Sequence, residues 1–320
     1  MNDRILSRIL RKAAVPDLLA ALTDRLSLPD LQSLLLEVYR RRAAELPPGY
    51  LLQQYRQNRF VQPAQAPPQR LLELDRLAFS LLPPGFQVLE LSPVCPLGTS
   101  SIVAAVDQNN AVTTIRNTEV CADSTNVLAL ECARRRRDLM LWEGPAVQDT
   151  KLCASHRLLR AQVFQGPDHF AHFRVLGLCT AGRDRGAYGF ELEALGEQMG
   201  FYLRLLRELG EQGAALGGVT VRLTALDPDL AEALCVGVLA ELSVAHPAVR
   251  FSIVPGEGAG GYYLGARFQI DAGDAAGKEL NLVDGGFTGW TQQLLSDRKE
   301  RLLVSGLGTE RLALCFPVPA

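Results

Sequence analysis

Three stretches near the end of the chain decide the fold: GGYYLGARFQI (260–270), ELNLVDGGF (279–287) and VSGLGTERLAL (304–314), in that order. Together they read as strand, Gly-Gly turn, strand, and then a glycine-rich entry into a helix carrying Glu310 and Arg311. Working upstream, VRFSIV (249–254) and VTVRLTAL (219–226) read as strands around the helix DPDLAEALCVGVLAELS (227–243). The segment HFAHFRVLGLCTAGRDRGAYGFELEALG (169–196) reads as two antiparallel strands joined by a polar, Gly- and Arg-rich loop, followed by the helix EQMGFYLRLLREL. FQVLELSPV (86–94) is a strand closed by Pro93, and SIVAAVD (101–107) with AVTTIRN (111–117) suits a hairpin. The sum is an α+β fold, a largely antiparallel sheet flanked by helices.

A helical module over residues 1–60 precedes this core. Ile5, Ile9, Leu18, Leu19 and Leu22 recur at helical spacing, and Ser27-Leu-Pro-Asp30 has the form of a capping box. VQPAQAPPQ (61–69) reads as a proline-rich linker, so the core is expected over 70–320. The helix STNVLALECARRRR (124–137) takes Ser124, Thr125 or Asn126 as its cap, and its four arginines read as a solvated helix end.

Composition bounds the function. In 320 residues, 48% are hydrophobic and 21% charged, which suits a globular chain with a large core. A net charge of −2 gives no global field for nucleic acid. No apolar run approaches a membrane span, and the N-terminus lacks a secretory hydrophobic region. The seven cysteines are odd in number and form no CxxC pair, so buried thiols in a reducing cytoplasm are expected rather than disulfides or a metal site.

The order of these segments resembles the catalytic core of histidyl-tRNA synthetase, a class II aminoacyl-tRNA synthetase, over residues 70–320. That group also contains the regulatory subunit of ATP phosphoribosyltransferase. In the family a Tyr-Tyr-x-Gly segment lines the amino-acid pocket, matched by Tyr262, Tyr263 and Gly265, and the arginine of the final helix (motif 3) contacts ATP, matched by Arg311 beside Glu310. The helix 70–82 followed by Phe86 and a strand ending in Ser92-Pro93 resembles motif 1, which implies a homodimer. Motif 2 is a strand bearing Phe-Arg, a mobile loop and a returning strand bearing a Glu. Phe173-Arg174, the loop with Arg183 and Arg185, and Glu193 stand in that order. A third, looser match sets Arg116, Glu119 and Thr125 where the family has Leu-Arg-Pro-Glu before a helix, whose Glu and following Thr hold the substrate amino group.

The resemblance implies chemistry for each position. Arg174 would fork onto an α-phosphate and stabilise the charge that develops as a carboxylate attacks phosphorus. Arg183, Arg185, Glu310 and Arg311 would hold ATP with Mg²⁺. Arg116, Glu119, Glu193 and one of Tyr262 and Tyr263 would bind an amino acid or similar small carboxylate. On a strand the two tyrosines would face opposite ways.

Departures oppose charging of tRNA with histidine. The catalytic arginine four residues before Tyr-Tyr is Gly258, and the selective glutamine falls on Gly189. Gly-Gly-Arg-Tyr-Asp has become Gly285-Gly286-Phe287-Thr288-Gly289, and no anticodon-binding domain is expected after motif 3. Two functions stay open: ATP-dependent activation of an amino acid to an acyl-adenylate, and a non-catalytic amino-acid-binding regulator that meets a protein partner through its N-terminal helices.

Overall fold

Alternating side chains over residues 264–288 become two long antiparallel strands, and the rest of the sheet is built outward from them. The computed structural model describes residues 3–143, 148–162, 171–256, 262–274 and 276–318. Gly258 and His169 lie outside the described residues, as does most of the glycine-rich segment 256–261. The strands are β1 (Phe86–Val88), β2 (Val94–Pro96), β3 (Thr118–Val120), β4 (Thr150–Leu159), β5 (His172–Arg183), β6 (Val219–Ala225), β7 (Arg250–Pro255), β8 (Leu264–Gly273), β9 (Glu279–Thr288) and β10 (Glu300–Leu307). Eight of them form one sheet in the order β1-β4-β5-β10-β9-β8-β6-β7, while β2 and β3 pair separately. The six central strands are antiparallel to their neighbours, and β1 and β7 join the two edges in parallel. This is the α+β architecture expected from the sequence.

The sheet is covered unequally. One face carries the helices Pro68–Ser80, Gly189–Glu211 and the helical run from Pro228 to Ala245. Their apolar side chains meet Leu176, Leu178, Val221, Leu223, Phe268 and Ile270 from the strands. The other face carries the helix Ser124–Glu143 and the short helix Trp290–Leu295, which pack on Leu152, Ala154, Cys179, Leu302 and Val304. These lie on β4, β5 and β10 only. The same face of β6, β8 and β9 is left open, and the cavity described below forms there.

Three expectations change. The segment 172–194 is not a hairpin: β5 ends at Arg183 and a 23-residue helix begins at Gly189. The turn between them carries left-handed backbone at Gly186, Ala187 and Tyr188. The helix wins because Phe190, Ala194, Leu195, Met199, Tyr202, Leu206 and Leu209 keep a period near 3.6 and all become buried. Each fully buried large side chain contributes about 1.5–3 kcal/mol, whereas a second strand over 190–196 would expose half of them. The true hairpin is β4–β5, paired from Thr150↔Ala181 to Leu159↔His172.

The second change concerns 99–117, where no hairpin forms. A π-helical turn occupies Thr99–Val103 and a 3-10 turn Gln108–Asn110. The buried Glu119 carboxylate accepts hydrogen bonds from the Gly98 and Ser100 amides and from Gln108 Nε2, and so binds this segment into compact turns. The third change is Arg136. It is wholly buried, with its guanidinium forked onto the equally buried Glu300 of β10. Its neighbours Arg134 and Arg135 do pair near the surface with Glu131.

At the N-terminus the helices Asp3–Ala13, Leu28–Ala44 and Pro48–Gln57 form as the periodicity requires. Ser27 Oγ accepts from the Asp30 amide at 3.2 Å, the expected cap. Among residues 4–65 no side chain is buried. Arg59 ties this region to the core by donating to the carbonyls of Ala161 and Gln162.

Candidate functional site

A cavity of about 1600 Å³ lies on the open half of the sheet. Its floor is the strands β6, β8 and β9, presenting Arg222, Thr224, Arg267, Gln269 and Asp284. One wall is the entry to the helix Ser124–Glu143, with Asp123, Thr125 and Asn126; another is the final helix Thr309–Cys315, with Arg311, Leu314 and Cys315. Phe173 and Val175 of β5 and Arg160, just past β4, close a third side. The volume exceeds the usual range for one small ligand, about 300–1,000 Å³.

Asp123 is held in place from its own segment. Its Oδ1 accepts from the Thr125 amide at 2.9 Å and from Thr125 Oγ1 at 2.8 Å, so it caps the helix that Ser124 begins. Its Oδ2 meets Arg160 Nη2 at 3.1 Å, and Arg160 Nε also donates to the Ala122 carbonyl. The wall stands this close to β5 because Gly177 lies beneath it: a Cβ there would meet Ser124 Oγ at 2.6 Å.

The two tyrosines both line the cavity. They stand in a bend before β8 begins at Leu264, so strand alternation does not separate them. Tyr262 packs edge-on against Trp290, with centroids 5.2 Å apart, and against Tyr263 at 4.9 Å. Tyr263 donates to Asp284 Oδ1, and Gln269 Nε2 lies 3.4 Å from Oδ2. Burial raises the pKa of Asp284, although the Tyr263 hydrogen bond and Arg267 pull the other way. Burial also raises both tyrosine hydroxyls, for Tyr263 with added repulsion from Asp284. Gly286 makes room for this arrangement, since a Cβ there would lie 2.6 Å from the Tyr263 ring.

Of the residues singled out from sequence, Arg311, Tyr262, Tyr263 and Thr125 come together at the cavity. The others do not. Arg174 leaves β5 on the face opposite Phe173 and Val175, as alternation requires. There it pairs with Asp75 at 2.9 Å and donates from Nε to Ser155 Oγ. Glu310 also turns from the cavity, accepting from the Arg174 amide and from Arg157 Nη1, each at 3.0 Å. Arg183 and Arg185 sit at the far end of β5, paired with Asp297 and with Asp149 and Glu193. Glu193 is therefore on a helix and exposed rather than on a returning strand. Arg116 is exposed outside the cavity. Glu119 is spent on the turn after Gly98; burial would raise its pKa, but the hydrogen bonds from Gln108, Ser100 and Gly98 hold it below the ordinary carboxylate value.

Asp123, not Glu119, has the place of an acid standing two residues before a threonine at a helix start. Its signal was the run Asp123-Ser124-Thr125, which was legible as a cap one residue later than the one that forms. Arg160, Arg222, Arg267 and Asp284 were also missed, although arginines on the inward side of otherwise apolar strands are the kind of polar departure that marks a site. On the cavity side, β5 presents Phe173, Val175, Gly177 and Cys179, so the returning strand carries no carboxylate there.

Among the described residues, the charged groups lining the cavity are four arginines and two aspartates, which suits an anionic ligand. The arginines fit the phosphates of a nucleotide. Magnesium is another matter: among the described residues no group of three or more His, Cys, Asp or Glu could hold a metal ion. The two aspartates are both engaged by protein donors. No helix of the described residues is long and apolar enough to cross a membrane.

With the geometry established, comparison with solved structures gives the class of fold. The chain superposes on a protein assigned as threonyl-tRNA synthetase ThrRS-1 of Aeropyrum pernix with a TM-score of 0.58 and 13% identity, covering 77% of this chain and 58% of that one. It superposes on the histidyl-tRNA synthetase of S. aureus with a TM-score of 0.55 and 14% identity, covering 77% and 64%. An ATP phosphoribosyltransferase regulatory subunit/histidyl-tRNA synthetase from Bacillus halodurans C gives 0.53 and 14%, covering 80% of this chain and 83% of that one. The chain thus spans under two thirds of the length of the two synthetases. No family model matches it, and no curated protein matches it in sequence. The fold is that of the class II synthetase core, as the motif order implied, and at these identities the likeness extends to the fold alone.

Proposed function

We propose that the chain is a small-molecule-binding protein on the class II synthetase fold, and that the cavity over β6, β8 and β9 binds an amino acid or similar amine-bearing carboxylate. The observation that carries this reading is the joining of Asp123 and Thr125 at a helix entry with Tyr262, Tyr263 and four arginines in one cavity. Asp123 is a fixed carboxylate whose exchange partner, Arg160, can be replaced by a ligand ammonium. The displaced guanidinium is then free to meet the ligand's carboxylate. Polar groups fixed in a largely apolar pocket orient a ligand in this way.

A second reading, ATP-dependent activation of that acid to an acyl-adenylate, is favoured by Arg160 and Arg311 lining the same cavity. An arginine at each end of the space could hold a polyphosphate beside the acid. What weakens it is the engagement of Arg174 and Glu310 on the other face of the sheet. The regulatory reading needs only the acid site.

A thermal-shift screen with the amino acids, ATP and ADP, singly and paired, separates these readings. A ligand at a hundred times its dissociation constant adds about 2.7 kcal/mol of stability. A shift with an amino acid alone supports the binding reading, and a shift with ATP that grows with one amino acid supports activation. No shift with any amino acid at millimolar concentration refutes both.

A further inference from the structure

The floor of the cavity carries two arginines, Arg222 and Arg267, to which the reading above assigns no group of the ligand. Arg222 pairs across the sheet with Gln269, and Arg267 pairs with Thr224, so the two arginines are diagonal neighbours on the same face of β6 and β8. Diagonal neighbours on antiparallel strands lie roughly 7–8 Å apart at their Cα atoms, a span that one carboxylate can bridge. Arg267 has Asp284 as its nearby countercharge. Arg222 has no hydrogen-bond or ion-pair partner among the described residues, and both arginines are exposed to the cavity. Asp284 carries a single negative charge and also accepts from Tyr263 and Gln269, so it cannot neutralise both arginines. The wall at the helix entry holds the acid Asp123, whereas the floor carries two guanidiniums against the single carboxylate of Asp284.

We infer that Arg222 and Arg267 receive a second anionic group of the bound molecule, which makes the ligand an amine-bearing dicarboxylate, an acidic amino acid or a close analogue. The inference rests on the amino-acid reading of the cavity and narrows its substrate class. The ammonium goes to Asp123, the α-carboxylate to Arg160, and the side-chain carboxylate to the floor. A neutral amide of the same shape would leave the two guanidiniums facing each other without a countercharge.

The test is calorimetric titration of the full chain with L-glutamate, L-aspartate, L-glutamine and L-asparagine, repeated for Arg222→Gln and Arg267→Gln. Charge-assisted hydrogen bonds of this kind are worth about 10- to 100-fold in affinity. One acid should therefore bind at least about tenfold tighter than its amide. Each variant should narrow that gap severalfold while leaving the amide's affinity in place. Arg222→Gln is the cleaner of the two substitutions for folding, because it removes no hydrogen bond or ion pair among the described residues, and a melting curve checks this. Amides binding as tightly as acids would overturn the inference but leave the amino-acid reading standing. If no amino acid binds at all, both fall. If the variants weaken ATP while the preference for acid over amide persists, the arginines belong to a phosphate site and the inference fails.

Discussion

The wholly buried Arg136–Glu300 pair is the strongest single test of how the cavity wall is anchored. It joins the helix Ser124–Glu143 to β10 by a two-pronged fork, Nε to Oε2 and Nη2 to Oε1 at 2.9 Å, and neither side chain reaches solvent. Replacing Glu300 by Gln keeps the shape but leaves a guanidinium buried without a countercharge. Removing one partner of such a pair costs about 3–5 kcal/mol. Asp149 feels the charge of Arg136 but is itself paired with Arg185 at 3.2 Å, so it is a poor substitute. The figure should therefore be near the upper half of that range. The assay is urea unfolding followed by circular dichroism, with Arg136→Met, Glu300→Leu and the double variant closing a cycle. Each single variant should lose at least about 3 kcal/mol, while the double loses much less, because a well-packed apolar pair replaces an ion pair at little cost. A loss below about 1 kcal/mol for Glu300→Gln would show that water reaches the guanidinium. The helix, and with it Asp123, would then not be fixed by this contact.

Other expectations follow from the same geometry. Asp123→Ser keeps a capping oxygen but removes the charge and the Arg160 ion pair, so stability should fall by about 0.2–1 kcal/mol while amino-acid binding is lost; unchanged binding by calorimetry would dismiss Asp123 as the ammonium partner. Arg174→Ala should destabilise by about 2 kcal/mol, because it strips Asp75 of its cation, and should leave ligand affinity unaltered; a selective loss of ATP binding at full stability would return Arg174 to the site. The Glu131 carboxyl is pushed down to about 2, chiefly by the hydrogen bond from Arg134. A lowered folded-state pKa stabilises above the unfolded value of about 4.3, and that gain disappears as pH falls from there to about 2. With both partners partly solvated it amounts to about 0.2–1 kcal/mol, so Glu131→Gln should differ from the parent at pH 7 and match it at pH 2. Finally, a chain beginning at Asn58 keeps Arg59 and, among the described residues, every buried side chain, and its melting temperature should match the parent within about 2 °C; insolubility would show that the N-terminal helices cover part of the core or a partner-facing surface.

Fold and site differed in how far the sequence revealed them, and the reason lies in which signals are local. The strands β6 to β9 and the helix after β6 follow from periodicity and glycine punctuation, whereas the short helix Trp290–Leu295 and the order of the strands in the sheet do not. Over 172–196 the same method failed at one turn. Gly182, Gly186 and Gly189 looked like a loop between strands, and only the burial of Phe190 through Leu209 shows the helix to be continuous. That misreading moved the site. With a hairpin placed at 172–194, Arg174 and Glu193 stood where a motif would need them. With the hairpin at β4–β5, strand parity sends Arg174 to the opposite face and brings Arg160 to the cavity.

The missed residues share a cause. Asp123 becomes a cavity residue only because Gly177 lets the helix entry approach β5, a long-range packing fact. Arg222 and Arg267 become a pair only through the register of β6 against β8, which places Gln269 opposite Arg222 and Thr224 opposite Arg267. A one-residue slip of that register would send one arginine to the helix-covered face, where a charge could not stay unpaired. The two arginines on the open face are thus evidence for the register as well as for a ligand. If an acidic amino acid binds and each substitution narrows the preference for it, the result agrees with the strand pairing that sets the two arginines side by side.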